Sequence, residues 1–192
     1  TALAVVSHSI CSYIILCAGN EEQKKKYLPS MAKGEKLGAF CVHEPNCGSN
    51  ALALETRAVL EGDDYIVNGS KIFITNAQEA EIYTALVRTD PSKEPQGISM
   101  LLIEKGTKGF SFGKKEEKMG LNGTSSRELF FQDCRVPKEN LLGKEGEGLK
   151  SVGQAIIGFG FFGAAAISLG IAQAALDASI KHAKERVIAG NP

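Results

Sequence analysis

Three short stretches of this 192-residue chain carry residue types that could hold a flat, anionic ligand. The first is His43-Glu44-Pro45-Asn46-Cys47-Gly48-Ser49-Asn50. It follows the apolar run Leu37 to Val42, which reads as a strand, and Pro45 cannot donate to a strand ladder. Gly48 permits close backbone approach, and Ser49 sets a hydroxyl beside backbone N–H groups. A loop of free donors after a strand can cradle a pyrophosphate, although an ordinary Gly-Ser turn fits the same letters. The second stretch is Lys71-Ile72-Phe73-Ile74-Thr75-Asn76. Strict alternation predicts Phe73 and Thr75 on one face and Ile72 and Ile74 on the other. A ring beside a hydroxyl could back a flat heterocycle by packing and a hydrogen bond; a half-buried strand ending in Thr is the plain alternative. The third, Met119 to Leu129, is a Gly/Ser loop feeding a strand that ends at Val136-Pro137, which a bare loop also explains.

Other chemistries find less support. Gly158-Phe159-Gly160-Phe161-Phe162-Gly163 spells G-x-G-x-x-G, but no βαβ pattern surrounds it, so it is not read as a dinucleotide fingerprint. Neither a nucleophile elbow nor a phosphate-binding P-loop occurs. His8, His43 and His182 are scattered, and Cys11, Cys17, Cys41, Cys47 and Cys134 include no C-x-x-C pair. No metal site is expected, and the cysteines read as free thiols in a reducing compartment. Lys plus Arg equals Asp plus Glu, 22 each. That balance lacks the basic excess by which a nucleic-acid binder neutralises phosphates.

Three regions must position these stretches. Up to about Gly34 the chain reads as helical. Ala2 to Ala18 is stopped by Gly19-Asn20, and Glu21 to Ala32 starts on two acidic residues and carries Lys24, Lys25 and Lys26 on a solvated face. Leu37 to Leu142 is strand-rich. TRAVLEG, YIVNG, KIFIT, YTALVRT, ISMLLIE and ELFFQDCRV are separated by the turn signals Gly62-Asp63, Asn68-Gly69, Asp90-Pro91 and Gly106. No helical pattern intervenes, which predicts an antiparallel β-barrel or sandwich. From Gly146 the chain is helical again, and Ser151 to Leu176 holds no charged residue. That length suits a membrane span. Gln154, Ser168 and Gln173, together with the unbroken run into amphipathic Asp177 to Arg186, instead predict a helix buried on most sides in a bundle or subunit interface. The fold class is α+β multidomain: residues 1–36 helical, 37–145 a β-domain, 146–192 helical. A first residue that is Thr and a last segment, Gly190-Asn191-Pro192, that opens a loop predict a piece of a longer protein.

In order and spacing, GNEEQKKKYLPSMAKGEKLGAF, EPNCGSN, DDYIVNGSKIFITN, KMGLNGTSSRELFFQDCRVPKENLLG and LGIAQAALDASIKHAKER resemble the acyl-CoA dehydrogenase family, near its bacterial butyryl-CoA type. The resemblance implies the end of an N-terminal helical domain, a whole flavin-binding β-domain, and the first long helix of a C-terminal four-helix bundle. It implies FAD, an acyl-CoA substrate, an electron-transferring flavoprotein as partner, a homotetramer when full length, a place in fatty acid metabolism, and a bacterial cytoplasmic or mitochondrial matrix location. Carried over residue by residue, the implied cofactor contacts are Phe40, Val42, His43, Gly48, Ser49, Phe73, Ile74 and Thr75. The implied substrate contacts are Ser49, Gly158, Phe159, Gly160 and Phe161. The catalytic glutamate of most members would lie beyond Pro192; in a minority it stands at the position of Gly160.

Several positions depart from the family pattern. His43 replaces the usual Thr, Phe73 a common Trp, Asn50 an acidic residue, and Ala189 an aromatic one. Gly158 and Phe161 stand where the family places Asp and Arg. The changes at His43, Gly158 and Phe161 motivate one alternative, a non-catalytic paralogue or scaffold; a second alternative of the same fold is an acyl-CoA oxidase, which passes electrons to oxygen.

Overall fold

The computed structural model describes residues 2–93 and 97–187; Ala189, singled out above, lies outside them. Two helices open the chain, α1 (Ala2–Ala18) and α2 (Glu21–Ala32). Asn20 separates them with a reciprocal cap. Its side chain accepts from Gln23 N at 2.8 Å, and Gln23 Oε1 accepts from Asn20 N at 2.9 Å, which pairs backbone donors that the helix start would otherwise leave orphaned. Gln23 Nε2 then donates to the carbonyls of Glu139 and Leu141, tying α2 to the β-domain. α1 turns Ile10, Cys11, Ile14 and Ile15 inward.

The β-domain is one eight-stranded sheet: β1 (Gly38–Cys41), β2 (Arg57–Glu61), β3 (Asp64–Thr75), β4 (Ile82–Arg88), β5 (Ile98–Glu104), β6 (Phe110–Lys115), β7 (Ser126–Pro137) and β8 (Leu141–Leu142). The strand order is β6-β7-β3-β2-β4-β5-β8, with β1 also beside β4. Pairing is antiparallel except where β1 and β2 meet β4; side-chain periodicity carries no information about that direction. Every residue of β4 is buried. Alternate side chains of β4 and β5 therefore serve two cores. Ile82, Leu86, Ile98, Met100 and Leu102 pack with the helices. Tyr83, Ala85, Val87, Leu101 and Ile103 pack against β3 and β7.

Two features depart from the sequence expectation. Asn68-Gly69, which reads as a hairpin turn, lies inside one continuous strand, β3. The ladder with β7 slips there, and Gly69 takes φ +145°, so the dipeptide makes a bulge. A Cβ on Gly69 would stand 2.7 Å from Thr56 Cα, which is why the bulge takes glycine. β6 and β8 carry too little alternation to be foreseen.

The last region is α3 (Gly148–Ala155), a π-helical turn (Ile156–Gly160) and α4 (Phe161–Glu185). α3 packs Val152 and Ala155 into the helix-side core. α4 buries no residue among those described, and Phe162 and Leu169 are 73% and 71% exposed. A helix buried on most sides is thus not what this chain forms by itself. α1 meets α4 at Gly163, where a Cβ would come within 2.7 Å of Val6. The helical run Gly148–Glu185 is long and apolar enough to cross a membrane by length and composition.

Gly69→Ala is expected to cost roughly 1–3 kcal/mol through a strained φ and the contact with Thr56, read from urea denaturation; an unchanged midpoint would contradict this account of the bulge. The 192-residue chain on its own is expected to self-associate through α4. Sedimentation velocity should show species larger than a monomer, and Phe162→Ser with Leu169→Ser should reduce them. A monomer that binds no apolar dye would contradict it.

Candidate functional site

The two stretches singled out by residue type meet in space. The backbone N–H of Ile72 donates to the carbonyl of His43 at 2.9 Å. Beside that bond, Lys71 Nζ donates to Val42 O at 3.3 Å and to Glu44 Oε1 at 2.7 Å. Glu44 and Cys47 exchange backbone hydrogen bonds across Pro45-Asn46, closing a tight turn. The Glu44 carboxylate also accepts from the backbone N–H groups of Glu55 and Thr56, and Arg88 donates to the carbonyls of Leu52 and Leu54. The connection from Pro45 to Leu54 is therefore fastened at both ends, with Gly48 and Ser49 exposed between.

The alternation expected for Ile72 to Thr75 does not hold as written. The β3–β7 ladder slips again between Lys71 and Ile74, and Phe73 takes φ +56°. The extra residue resets the phase: Lys71 and Ile74 both face inward, Ile72 is half-buried, Phe73 is 62% exposed and Thr75 is half-buried. Thr75 is tied to α1, since Ser7 Oγ donates to its carbonyl, and Asn76 Nδ2 donates to Ala4 O.

The face so formed carries unused donors. Among the described residues, the backbone N–H groups of Gly48 and Ser49 and the side chains of His43, Ser49 and Thr75 have no hydrogen-bond partner, and nothing lies within 4 Å of a Cβ added to Gly48. Two of the expected contacts are core residues instead. Val42 and Ile74 point into the two cores, so their side chains cannot meet a surface ligand. Phe40 is half-buried against the helix-side core. The segment Gly158 to Phe161 sits elsewhere, across the π-turn and the first turn of α4. Phe159 there lines a cavity of ≈390 Å³ with Tyr13, Leu16 and Leu28 from the first two helices; Ser49 is not part of that lining. A second cavity, ≈380 Å³, lies between the start of α1, Leu121 to Thr124, and α4. Neither cavity includes the His43 and Phe73 face, which is open rather than a closed slot.

Electrostatics mark Glu44 and Lys71, which residue type alone did not single out. Both are buried. For Glu44, burial opposes charge most strongly, but the Lys71 ammonium and the N–H groups of Thr56 and Glu55 outweigh it and hold the carboxyl below its ordinary value. For Lys71, burial prevails over the attraction of Glu44 and draws the ammonium below the ordinary lysine value. The two directions oppose each other. Nζ faces only acceptors, Glu44 Oε1 and Val42 O, so the geometry supports the charged pair. A lysine in phase with buried neighbours is the only local signal that could have marked it. Burial pushes the Cys11 thiol up to about 12 and Cys41 well above its ordinary value, so neither is a nucleophile.

Glu44→Ala leaves a buried ammonium unpaired and is expected to cost about 3–5 kcal/mol in denaturant unfolding at neutral pH. Because the folded pKa of Glu44 is depressed, its contribution is complete above the ordinary carboxylate range and drains away as pH falls through the folded value. Glu44→Gln should flatten that part of the acid stability profile, and a profile parallel to wild type would contradict the assignment.

Comparison with known proteins identifies the family. The family model described as acyl-CoA dehydrogenase, middle domain, matches residues 39–134, and the one described as the N-terminal domain matches 1–35. The short-chain specific acyl-CoA dehydrogenase of Clostridium acetobutylicum is 48% identical over 187 residues, covering 97% of this chain and 49% of that protein. Butyryl-CoA dehydrogenase from Megasphaera elsdenii superposes with a TM-score of 0.96 at 45% identity, covering 99% of this chain and 50% of that one. A chain in the structure described as the electron transferring flavoprotein of Acidaminococcus fermentans gives 0.95 at 49% identity, covering 98% and 50%. The chain spans about half the length of the relatives it matches. With an α+β architecture, helices flanking a β-sheet domain, and family matches across both regions, the chain belongs to the acyl-CoA dehydrogenase family, whose members are in general flavin-dependent.

Proposed function

We propose that the protein carrying this chain is an FAD-dependent acyl-CoA dehydrogenase that forms an α,β double bond in an acyl-CoA thioester. The observation that carries the reading is the face joined by the Ile72–His43 hydrogen bond. That bond brings together two stretches, one with unpaired donors at Gly48 and Ser49, the other with exposed Phe73 and half-buried Thr75. Donors suit a diphosphate, while a ring and a free hydroxyl suit a flat heterocycle. The residues present therefore fit a flavin dinucleotide. When bound, the flavin accepts the hydride that leaves the β carbon.

The chain's own residues bind and orient. Gly48 and Ser49 hold the diphosphate by backbone N–H groups and a hydroxyl. Phe73 offers an apolar plane, and Thr75 and His43 offer polar atoms at the ring edge. By the family resemblance Gly158 to Phe161 are assigned to the substrate, and Phe159 lines the cavity with Tyr13, Leu16 and Leu28. Removing a proton next to a thioester needs a positioned base and donors to the thioester oxygen. The family resemblance implies a glutamate base beyond Pro192 in most members and at the position of Gly160 in a minority; Gly160 has no side chain, and the first of these is adopted. The names of the Clostridium and Megasphaera relatives support a short acyl chain. The Acidaminococcus structure supports an electron-transferring flavoprotein as acceptor. The whole protein is also taken as a homotetramer of the bacterial cytoplasm or the mitochondrial matrix, which rests on the family resemblance alone. A second reading, a non-catalytic paralogue, is favoured by the uncharged Gly158 and Phe161.

The full-length protein is expected to be yellow and to lose its visible flavin band when mixed anaerobically with butyryl-CoA. Thr75→Val should lower turnover about tenfold, the equivalent of ~1.4 kcal/mol in the barrier, with the fold intact by circular dichroism. A folded protein that takes up no added FAD would support the paralogue and overturn the dehydrogenase; rapid oxygen consumption would identify an oxidase.

A further inference from the structure

The Glu44–Lys71 pair lies behind the proposed flavin face. Its side chains are 3% and 0% exposed, so neither can touch a ligand on that face. Its hydrogen bonds nevertheless reach every segment that builds the face. Lys71 Nζ binds the carbonyl of Val42, one residue before His43. The Glu44 carboxylate binds the N–H groups of Glu55 and Thr56, where the Pro45 to Leu54 connection ends. Lys71 also immediately precedes the bulge in which Phe73 is held at φ +56°. That conformation is costly for an aromatic residue and persists only where surrounding structure over-determines it. The β7 ladder restrains the bulge on one side through Lys71–Leu129 and Ile74–Arg127; on the other side stand the Ile72–His43 bond and this pair.

Energetics argue that the pair is more than a stabiliser. Taking two charges out of water costs as much as their attraction returns, and an apolar pair of similar volume often supports a fold as well or better. An apolar pair, however, makes no directional bonds to Val42, Glu55 and Thr56. We propose that Glu44 and Lys71 are positioning residues for the cofactor. They lock the turn at 44–47 and the bulge at 72–73 against each other, and so set flavin affinity and the surroundings of its ring without contacting it. The proposal rests on the flavin reading given above.

The test compares the full-length protein with Glu44→Gln, Lys71→Met and the double variant. The double variant removes both charges and keeps a side-chain carbonyl to accept from Glu55 and Thr56. It is expected to melt close to wild type, to bind FAD at least about tenfold more weakly, and to show a shifted visible band for bound flavin. In the flavin-free double variant, hydrogen exchange should rise in residues 43–49 and 72–76 and stay unchanged in β4 and β5. Wild-type FAD affinity and spectrum in the double variant would overturn the proposal, as would exchange that rises evenly across the domain. A wild-type protein that takes up no FAD would overturn the flavin reading. The cofactor role of the pair would fall with it, while a rise in exchange confined to the two stretches would still show that the pair locks them together.

Discussion

Water reaches neither face of β4, and β5 is almost as deeply covered. Each of these strands must divide its side chains between two cores, and the rest of the molecule is arranged around that division. α1, α2 and α3 close one side over Ile82, Leu86 and Met100. β3 and β7 close the other over Tyr83, Ala85 and Leu101. β1 runs parallel to β4 along its whole length, so the chain leaving β1 emerges beside both cores, and the connection with the unpaired donors starts there. A one-residue slip in β4 would send aromatic and aliphatic side chains to the wrong core on both sides at once, which makes this register the most strongly determined in the fold.

Much of that framework is legible in the amino-acid order because its causes are local. The Gly19-Asn20 stop after α1, the acidic first turn of α2 and the apolar runs of β4 and β5 each announce themselves within a few residues. What is not legible depends on partners far along the chain. Asn68-Gly69 looks like a turn until Thr56 is known to press on it. Phe73 seems to continue an alternation until the β7 register shows an extra residue. Val42 and Ile74 sit in flavin-like motifs by letter yet face the cores. Lys71 is silent as a letter because its meaning comes from Glu44, 27 positions away. The candidate site is thus readable as two segments and unreadable as a joint, since the joint is made of long-range bonds.

The exposure of α4 follows from the same division of labour. α3 packs Val152 and Ala155 into the helix-side core, whereas α4 buries no residue among those described. Its apolar residues belong to contacts that the described part of the chain does not supply, consistent with a chain that spans half of its relatives. The sheet, by contrast, completes one core within itself and the other with α1, α2 and α3, and among the described residues α4 supplies none of either.

The π-turn between those helices acts as a phase shifter. One surplus residue in a helix rotates everything beyond it by about 100° about the axis. No single helical wheel can describe Gly148 to Glu185, because the angular origin changes at Ile156. A related chain with an uninterrupted helix at this point would align letter for letter and still aim its downstream side chains in other directions. Equivalence of position on either side of this turn is therefore not equivalence of bearing.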